Sequence, residues 1–333
     1  MEKTVLVLGA TGGVGGAIVD ALLRHGWKVR AMARDPGAIA RPDAQIDWLK
    51  GDAMVAADVL QAAPGVDAIV HAVNPPGYRD WDKYVLPMLD NTIAAARAAG
   101  ARVVLPGTVY NFDPAKTPLV GSDTPQRPTS RKGAIRVEME RKLEQAAPQV
   151  RSLILRAGDF FGPGARQSWF TQAMVTPGKP LRRIVKVARG PGHSWAYLPD
   201  LAESFARLMD AEGRLQPFER VQFEGCVDAG GSLIIDAIRR TVGRDVPVWR
   251  FPWWLMKIAA PFGGFPREAA EIAGFWRYPM RFDNSRLVAL IGPEPCTPPD
   301  EAIRASLIDL GCLPKARASI SDSANGLEQQ AIT

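Results

Sequence analysis

The chain has 333 residues, 41 Lys and Arg against 35 Asp and Glu, and a formal charge of +6. Hydrophobic residues make up 47% and charged residues 23%, which excludes whole-chain disorder, and no apolar run reaches the roughly 18–20 residues of a membrane-spanning helix. The positive charges are scattered among acids except for Arg182, Arg183, Lys186 and Arg189, so the continuous basic face of a nucleic-acid binder is missing and this cluster reads as a solvated loop.

Met1-Glu2-Lys3 leads directly into a short Val/Leu run with no small-residue cleavage site. That reads as a first strand over residues 4–8 rather than a signal peptide. A helix over residues 14–24 puts Val14, Ile18, Ala21 and Leu22 on one face. Further strands are expected at 28–33, 47–49, 68–72, 102–105 and 151–156, and helices at 84–99 and 136–146. Apolar strands alternating with helices predict right-handed crossovers and a parallel sheet covered on both faces. The fold class is therefore α/β, a Rossmann-type doubly wound parallel sheet.

The second half is less regular and rich in Pro, Gly and Trp, with helices expected at 201–209 and 232–241. The most apolar stretch, residues 251–265, is interrupted by Lys257, Pro252 and Pro261. We expect a dinucleotide-binding domain over 1–157, a smaller, mainly substrate-binding region over 158–313 with segments returning to the core, and a flexible tail over 314–333. Cys226, Cys296 and Cys312 match no metal or redox spacing. With no export signal they read as reduced thiols in a cytoplasmic protein. His25, His71 and His193 lie too far apart in sequence to suggest a metal site.

The sharpest motif is Gly9-Ala10-Thr11-Gly12-Gly13-Val14-Gly15-Gly16, placed between the first strand and the first helix. A turn without Cβ atoms lets the backbone approach a pyrophosphate, which then sits at the helix N-terminus. Gly9, Thr11, Gly12, Gly13, Val14 and Gly15 are the expected cofactor-binding residues there. An acid about 20 residues beyond the glycines marks NAD, whereas an arginine suits the 2′-phosphate of NADP. The second strand ends in Arg34, so NADP(H) is preferred; Asp35 follows it and keeps NAD(H) open. Asp52 and Ala53 are positioned to reach the adenine edge, or alternatively Asp52 caps a helix over 53–62. Ala72, Val73 and Asn74 end the fourth strand, where the sheet meets the cofactor.

With these motifs in order the chain resembles the short-chain dehydrogenase/reductase superfamily, in its extended or atypical NAD(P)-dependent epimerase/dehydratase-like branch. The resemblance runs from Thr4 to about Leu310. It includes Gly51-Asp52, Pro106-Gly107-Thr108-Val109-Tyr110, the segment Leu155-Arg156-Ala157-Gly158-Asp159-Phe160-Phe161-Gly162-Pro163-Gly164, the segment beginning His193-Ser194-Trp195-Ala196-Tyr197, and Phe282-Asp283-Asn284-Ser285-Arg286. It implies a catalytic Ser or Thr, a Tyr, and a Lys four residues after the Tyr. Here Lys132 stands where the Tyr belongs, Arg136 where the Lys belongs, and the hydroxyl position falls on Pro106 with Thr108 close by. All three usual residues are replaced. Lys132 is then the expected proton donor, its pKa lowered by desolvation and Arg136. Arg136 would hold the ribose, and Thr108 or Tyr110 would orient a carbonyl.

These residues predict an NADP(H)-dependent oxidoreductase acting on a small carbonyl or alcohol. The alternatives are a non-catalytic NADP(H) sensor and a nucleotide-sugar epimerase or dehydratase, for whose diphosphate Arg182, Arg183 and Arg189 would serve. Phe160, His193 and Trp195, with Phe161, Trp169 and Tyr197, are substrate-lining candidates that could equally be core. The expected partner is a small-molecule substrate, with no nucleic acid and no membrane; the resemblance implies a homodimer.

Overall fold

The computed structural model describes residues 3–39, 44–75, 81–190, 192 and 194–314. The first half alternates as β1 (Thr4–Leu8), α1 (Gly13–Arg24), β2 (Lys28–Ala33), β3 (Ile46–Lys50), α2 (Ala56–Ala62), β4 (Ala68–His71), α3 (Trp81–Ala99), β5 (Arg102–Pro106), β6 (Leu119–Val120), α4 (Arg131–Ala146) and β7 (Ser152–Arg156). Then come β8 (Asp159–Phe161), β9 (Ile184–Lys186), β10 (Ser194–Tyr197), α5 (Leu198–Asp210), β11 (Phe218–Gln222), β12 (Cys226–Val227), α6 (Leu233–Val242) and β13 (Val248–Arg250). The chain closes with α7 (Trp253–Ala259), α8 (Gly264–Ile272), β14 (Arg281–Phe282), α9 (Ser285–Ile291) and α10 (Pro299–Asp309).

Seven strands form one sheet in the order β11-β7-β5-β4-β1-β2-β3. Every pairing within it is parallel. This is the doubly wound Rossmann arrangement that the alternation predicted. The strands read as continuous Val, Leu and Ile runs because both faces are covered. On one face α1 and α5 pack with Val5, Val7, Leu153 and Leu155; on the other, α3 and α4 pack with Leu6, Leu8, Val103 and Ile154. Sequence order reverses beside β1, which has β2 on one side and β4 on the other. Ligands bind at the carboxyl end of such a switch point.

A third apolar cluster gathers the second-half segments around Trp169, Trp195, Trp253 and Trp276. Three small sheets brace them, β12-β10-β8, β13-β9 and β14-β6. Among the described residues no helix is long and apolar enough to cross a membrane.

Several element boundaries differ from expectation. The fourth helix begins at Arg131 rather than at residue 136, because Ser130 caps it: its hydroxyl accepts from the Gly133 N–H at 3.0 Å. That cap brings Lys132 into the first turn of α4. The helix expected from 53 begins only at Ala56. Asp52 instead closes a turn, its carboxylate accepting from the Met54 N–H at 2.9 Å. The third helix reaches back to Trp81, one turn before Tyr84. The tail expected over 314–333 lies, apart from Pro314, outside the described residues.

Candidate active site

Each glycine of the first loop has its own steric reason. Gly9 has φ +89°, and a Cβ there would lie 2.5 Å from the Ala72 carbonyl oxygen. The Gly12 N–H donates to the Gly9 carbonyl at 3.0 Å, closing the turn. A Cβ on Gly15 would collide with that same Gly9 carbonyl, so α1 and β1 approach more closely than any side chain permits. Neither a side-chain cap nor an acid occupies the first turn of α1. Its leading N–H groups and the positive end of its dipole are left for an anion. This chemistry fits a dinucleotide diphosphate.

The expected cofactor residues lie on that loop and after the carboxyl ends of β2, β3 and β4. Thr11 is exposed at its crest, and Gly12, Gly13, Val14 and Gly15 form the start of α1. Arg34 is exposed just past the end of β2, followed by exposed Asp35. The Asp52 N–H donates to Asp58 at 2.9 Å, and Ala53 beside it is buried. Ala72, Val73 and Asn74 leave β4 in extended form, with Ala72 pressed against Gly9. A strand-to-helix loop from the second half closes over the glycines: a Cβ on Gly13 would lie 2.6 Å from the Gly164 carbonyl oxygen. The Gly164 N–H donates to Asp309 at 3.1 Å, and Arg166 pairs with the same carboxylate, so α10 holds this loop down.

That loop runs on to Gln167 and Trp169, which line a cavity of about 660 Å³. Tyr110, Arg131 and Lys132 form a second wall, Asp82 lies at its edge, and Phe265, Arg267, Glu268 and Ile272 of α8 close the other side. Lys132 is 2% exposed. Its ammonium pairs with Glu268 and, at 3.3 Å, with Glu271. Glu271 also accepts from the Lys132 backbone N–H at 3.0 Å, a carboxylate stabilised at the start of α4. Thr108 caps the short turn Val109–Asn111, and Tyr110 packs edge-on against Phe275 at 5.2 Å. A Cβ on Gly133 would clash with the Tyr110 carbonyl, so glycine lets α4 seat against this turn.

Lys132 is met by carboxylates that the sequence reading did not include. Arg136 lies one turn further along α4. Its guanidinium stacks over Trp81 at 5.0 Å, and one nitrogen lies 3.5 Å from the Pro106 carbonyl. The carboxylates that meet Lys132 come from α8, more than 130 residues away in sequence, where no local spacing could reveal them. The charge of Arg136 bears on His71, at the end of β4. His71 is held down at about 3, first by burial and then by Arg136. The Thr92 hydroxyl donates to the Met88 carbonyl at 3.0 Å, so it accepts from His71 Nδ1–H at 2.8 Å. That leaves Nε2 as an unprotonated acceptor, buried and with no hydrogen-bond partner among the described residues.

Residues 9–145 match the family model described as NAD(P)H-binding. That segment is similar to NAD(P)H-binding domains. The domain is similar to curated reductases. One is the 3-diazoavenalumate denitrifying reductase of a Streptomyces species, 30% identical over 48% of this chain and 57% of that protein. Another is aldehyde reductase 2 of Sporidiobolus salmonicolor, 36% identical over 29% of this chain and 31% of that protein. The chain thus spans about half, or less, of the curated relatives it matches. The fold matches the Bacillus cereus UDP-glucuronic acid 4-epimerase solved with NAD, at a TM-score of 0.68, 16% identity, and coverage of 92% of this chain and 98% of that one.

Of the substrate-lining candidates, Trp169 lies on the cavity wall. Trp195 is buried against Phe161 and Trp276, Phe161 is fully buried, and half-buried Phe160 packs with the apolar layer beneath α5. Tyr197 packs on Phe161, and burial, with Asp200 and Glu301, pushes its phenol up to about 12. These aromatics pack in the apolar clusters of the second half and beneath α5. His193 lies outside the described residues. Sequence reasoning missed Asp82, Gln167, Gln172, Phe265, Arg267, Glu268 and Glu271. The Pro/Gly-broken apolar run was the one signal that could have drawn attention to the neighbourhood of α8.

Proposed function

We propose that the protein is an NADP(H)-dependent oxidoreductase acting on a small carbonyl or alcohol, with Lys132 in the proton-transferring role that the superfamily gives to tyrosine. The observation carrying this reading is a buried ammonium on the wall of a cavity of about 660 Å³, held between Glu268 and Glu271. When bound, the nicotinamide cofactor supplies or accepts the hydride. The backbone of Gly9, Gly12, Gly13, Val14 and Gly15, with Thr11, would hold its diphosphate, and Asp52, Ala53, Ala72, Val73 and Asn74 its adenosine side. Arg34 would take the 2′-phosphate as a forked, permanently charged donor. Arg136 would face the ribose nearest the reaction.

In the reducing direction Lys132 Nζ gives a proton to the carbonyl oxygen as the carbon is reduced, and in the oxidising direction it takes that proton back. Glu268 and Glu271 fix the ammonium in place and offer the route by which its proton is exchanged with solvent. Thr108 and Tyr110 orient the substrate oxygen. The reductase names of the relatives favour this direction over a nucleotide-sugar reaction. Arg182, Arg183 and Arg189 are not among the residues lining the cavity beside Lys132, which favours the carbonyl reading. A homodimer, domain limits near 157 and 313, and a cytoplasmic setting remain part of this proposal.

Purified protein is assayed with NADPH against a panel of aldehydes, ketones and quinones. Turnover that Lys132→Met abolishes while NADPH binding persists supports the reading. Tight cofactor binding with no turnover on any compound would favour a sensor, and an unchanged kcat in Lys132→Met would remove that residue from the mechanism.

A further inference from the structure

The apolar run at residues 251–265 is not consumed by the core. Trp253 turns inward and donates its indole N–H to the Val187 carbonyl at 2.8 Å. Its neighbours on α7 and the following turn point outward. Trp254 is 67% exposed, Ile258 63% and Phe262 90%, and Leu255 is also exposed. Residues 254, 258 and 262 recur at helical spacing on one face. An aqueous surface seldom leaves so many large side chains together, and such a patch marks a binding face.

The charges carried by this stretch of chain have one sign. From Val246 to Arg267 there is no acid, while Arg250, Lys257 and Arg267 are exposed. Parallel pairing of β13 with β9 aligns Trp249 with Val185 and Arg250 with Lys186. This brings the basic segment 182–189 beside α7, and Arg183 stacks on exposed Trp249 at 4.7 Å. The nearest preceding acid, Asp245, pairs with Arg239 at 2.9 Å. The acids that follow, Glu268 and Glu271, are turned to Lys132. Two tryptophans, an isoleucine and a phenylalanine rimmed by unopposed cations match the interfacial zone of an anionic bilayer. There aromatic rings sit at headgroup level, the apolar face enters the acyl boundary, and lysine and arginine meet lipid phosphates.

We propose that the α7 face is a peripheral docking surface for an anionic phospholipid membrane. The sequence expectation of no membrane partner is thereby narrowed to spanning segments. The face is continuous with the cavity, since Phe265 is exposed and also lines it.

The test is co-sedimentation of the full chain with vesicles of phosphatidylcholine mixed with phosphatidylglycerol, against vesicles of phosphatidylcholine alone, without cofactor or turnover. Its failure would leave the redox reading standing. Binding to the mixed vesicles is expected, at least about tenfold weaker in Trp254→Ser/Phe262→Ser and weakened by salt. Because both side chains are already exposed, circular dichroism should show these variants folded. Arg250→Glu/Lys257→Glu should lose the preference for phosphatidylglycerol by a second, independent route. No sedimentation with the mixed vesicles, or equal sedimentation of the variants, would overturn the proposal. So would sedimentation velocity showing a dimer that Trp254→Ser/Phe262→Ser dissolves, which would assign the face to a second copy of the chain.

Discussion

At the scale of single residues, charge placement separates the roles. Arg34 stands exposed at the end of β2, where a guanidinium gains from a phosphate but little from a bare diol. Arg34→Ala should weaken NADPH by about tenfold or more, roughly the 1.5–3 kcal/mol of a hydrogen bond to a charged group, and leave NADH nearly unchanged. Calorimetric titration with both dinucleotides checks this, and equal losses would remove the NADP assignment. His71 makes the reverse use of burial. Its folded pKa of about 3 lies below the ordinary 6.5, so between those values the unfolded chain binds a proton that the folded chain refuses. The stability owed to neutral His71 is complete above about pH 6.5 and is lost progressively as pH falls towards 3. Urea unfolding at about pH 7 and about pH 4.5 should show a loss of a few kcal/mol that His71→Gln reduces. Parallel pH profiles of the two proteins would contradict it.

At the scale of elements, short structures depend on side chains from elsewhere. The α4 segment is seated by Ser130 and by Glu271 of α8, and anchored further along by Glu140. Glu140 and Arg156 are both almost fully buried, and their carboxylate and guanidinium meet at 3.0 and 2.5 Å. Asn111 and Gln126 donate to the same carboxylate, each at 2.9 Å. Removing one partner strands the other charge in the core, so Glu140→Ala should cost about 3–5 kcal/mol in a denaturant titration. A loss below about 1 kcal/mol would mean that water reaches the pair. The glycine loop is equally unforgiving. Gly13→Ala would press a methyl group on the Gly164 carbonyl, lifting the loop that connects the glycines to the cavity. Both dinucleotide affinity and kcat should fall in that variant, while Gly26→Ala, where a Cβ meets nothing within 4 Å, should retain both. The φ of +79° at Gly26 still strains an alanine, so that control should lose some stability.

At the scale of the whole molecule, helix and turn residues that flank the parallel sheet meet second-half residues at the cavity, so cofactor binding is expected to stiffen both. NADPH at about 100 times its Kd should raise stability by about 2.7 kcal/mol, seen as a shift of several degrees in Tm. A Tm indifferent to every pyridine dinucleotide would remove the cofactor reading altogether.

The sheet was legible because its signals are local. Buried parallel strands are short runs of Val, Leu and Ile, α1 carries an apolar stripe, and the turn between β1 and α1 declares itself by glycines that no other residue can replace. The same locality placed Arg34 and the Ala72–Asn74 segment at the carboxyl ends of their strands, since each follows its strand directly. The positions of Lys132 and Tyr110 were also readable along the chain. Their surroundings were not. Glu268, Glu271 and Phe265 arrive from α8 through packing of Trp169, Trp253 and Trp276, and contacts across such distances leave no periodicity to read. Trp195 and Tyr197 were indistinguishable by type from pocket aromatics, and only burial assigned them to the core. The sequence alone therefore determined the parallel sheet and the diphosphate-binding turn, where backbone geometry restricts which residues fit. Tertiary structure decided which charges face Lys132 and which apolar side chains stay in water, because those depend on how distant segments share one interior.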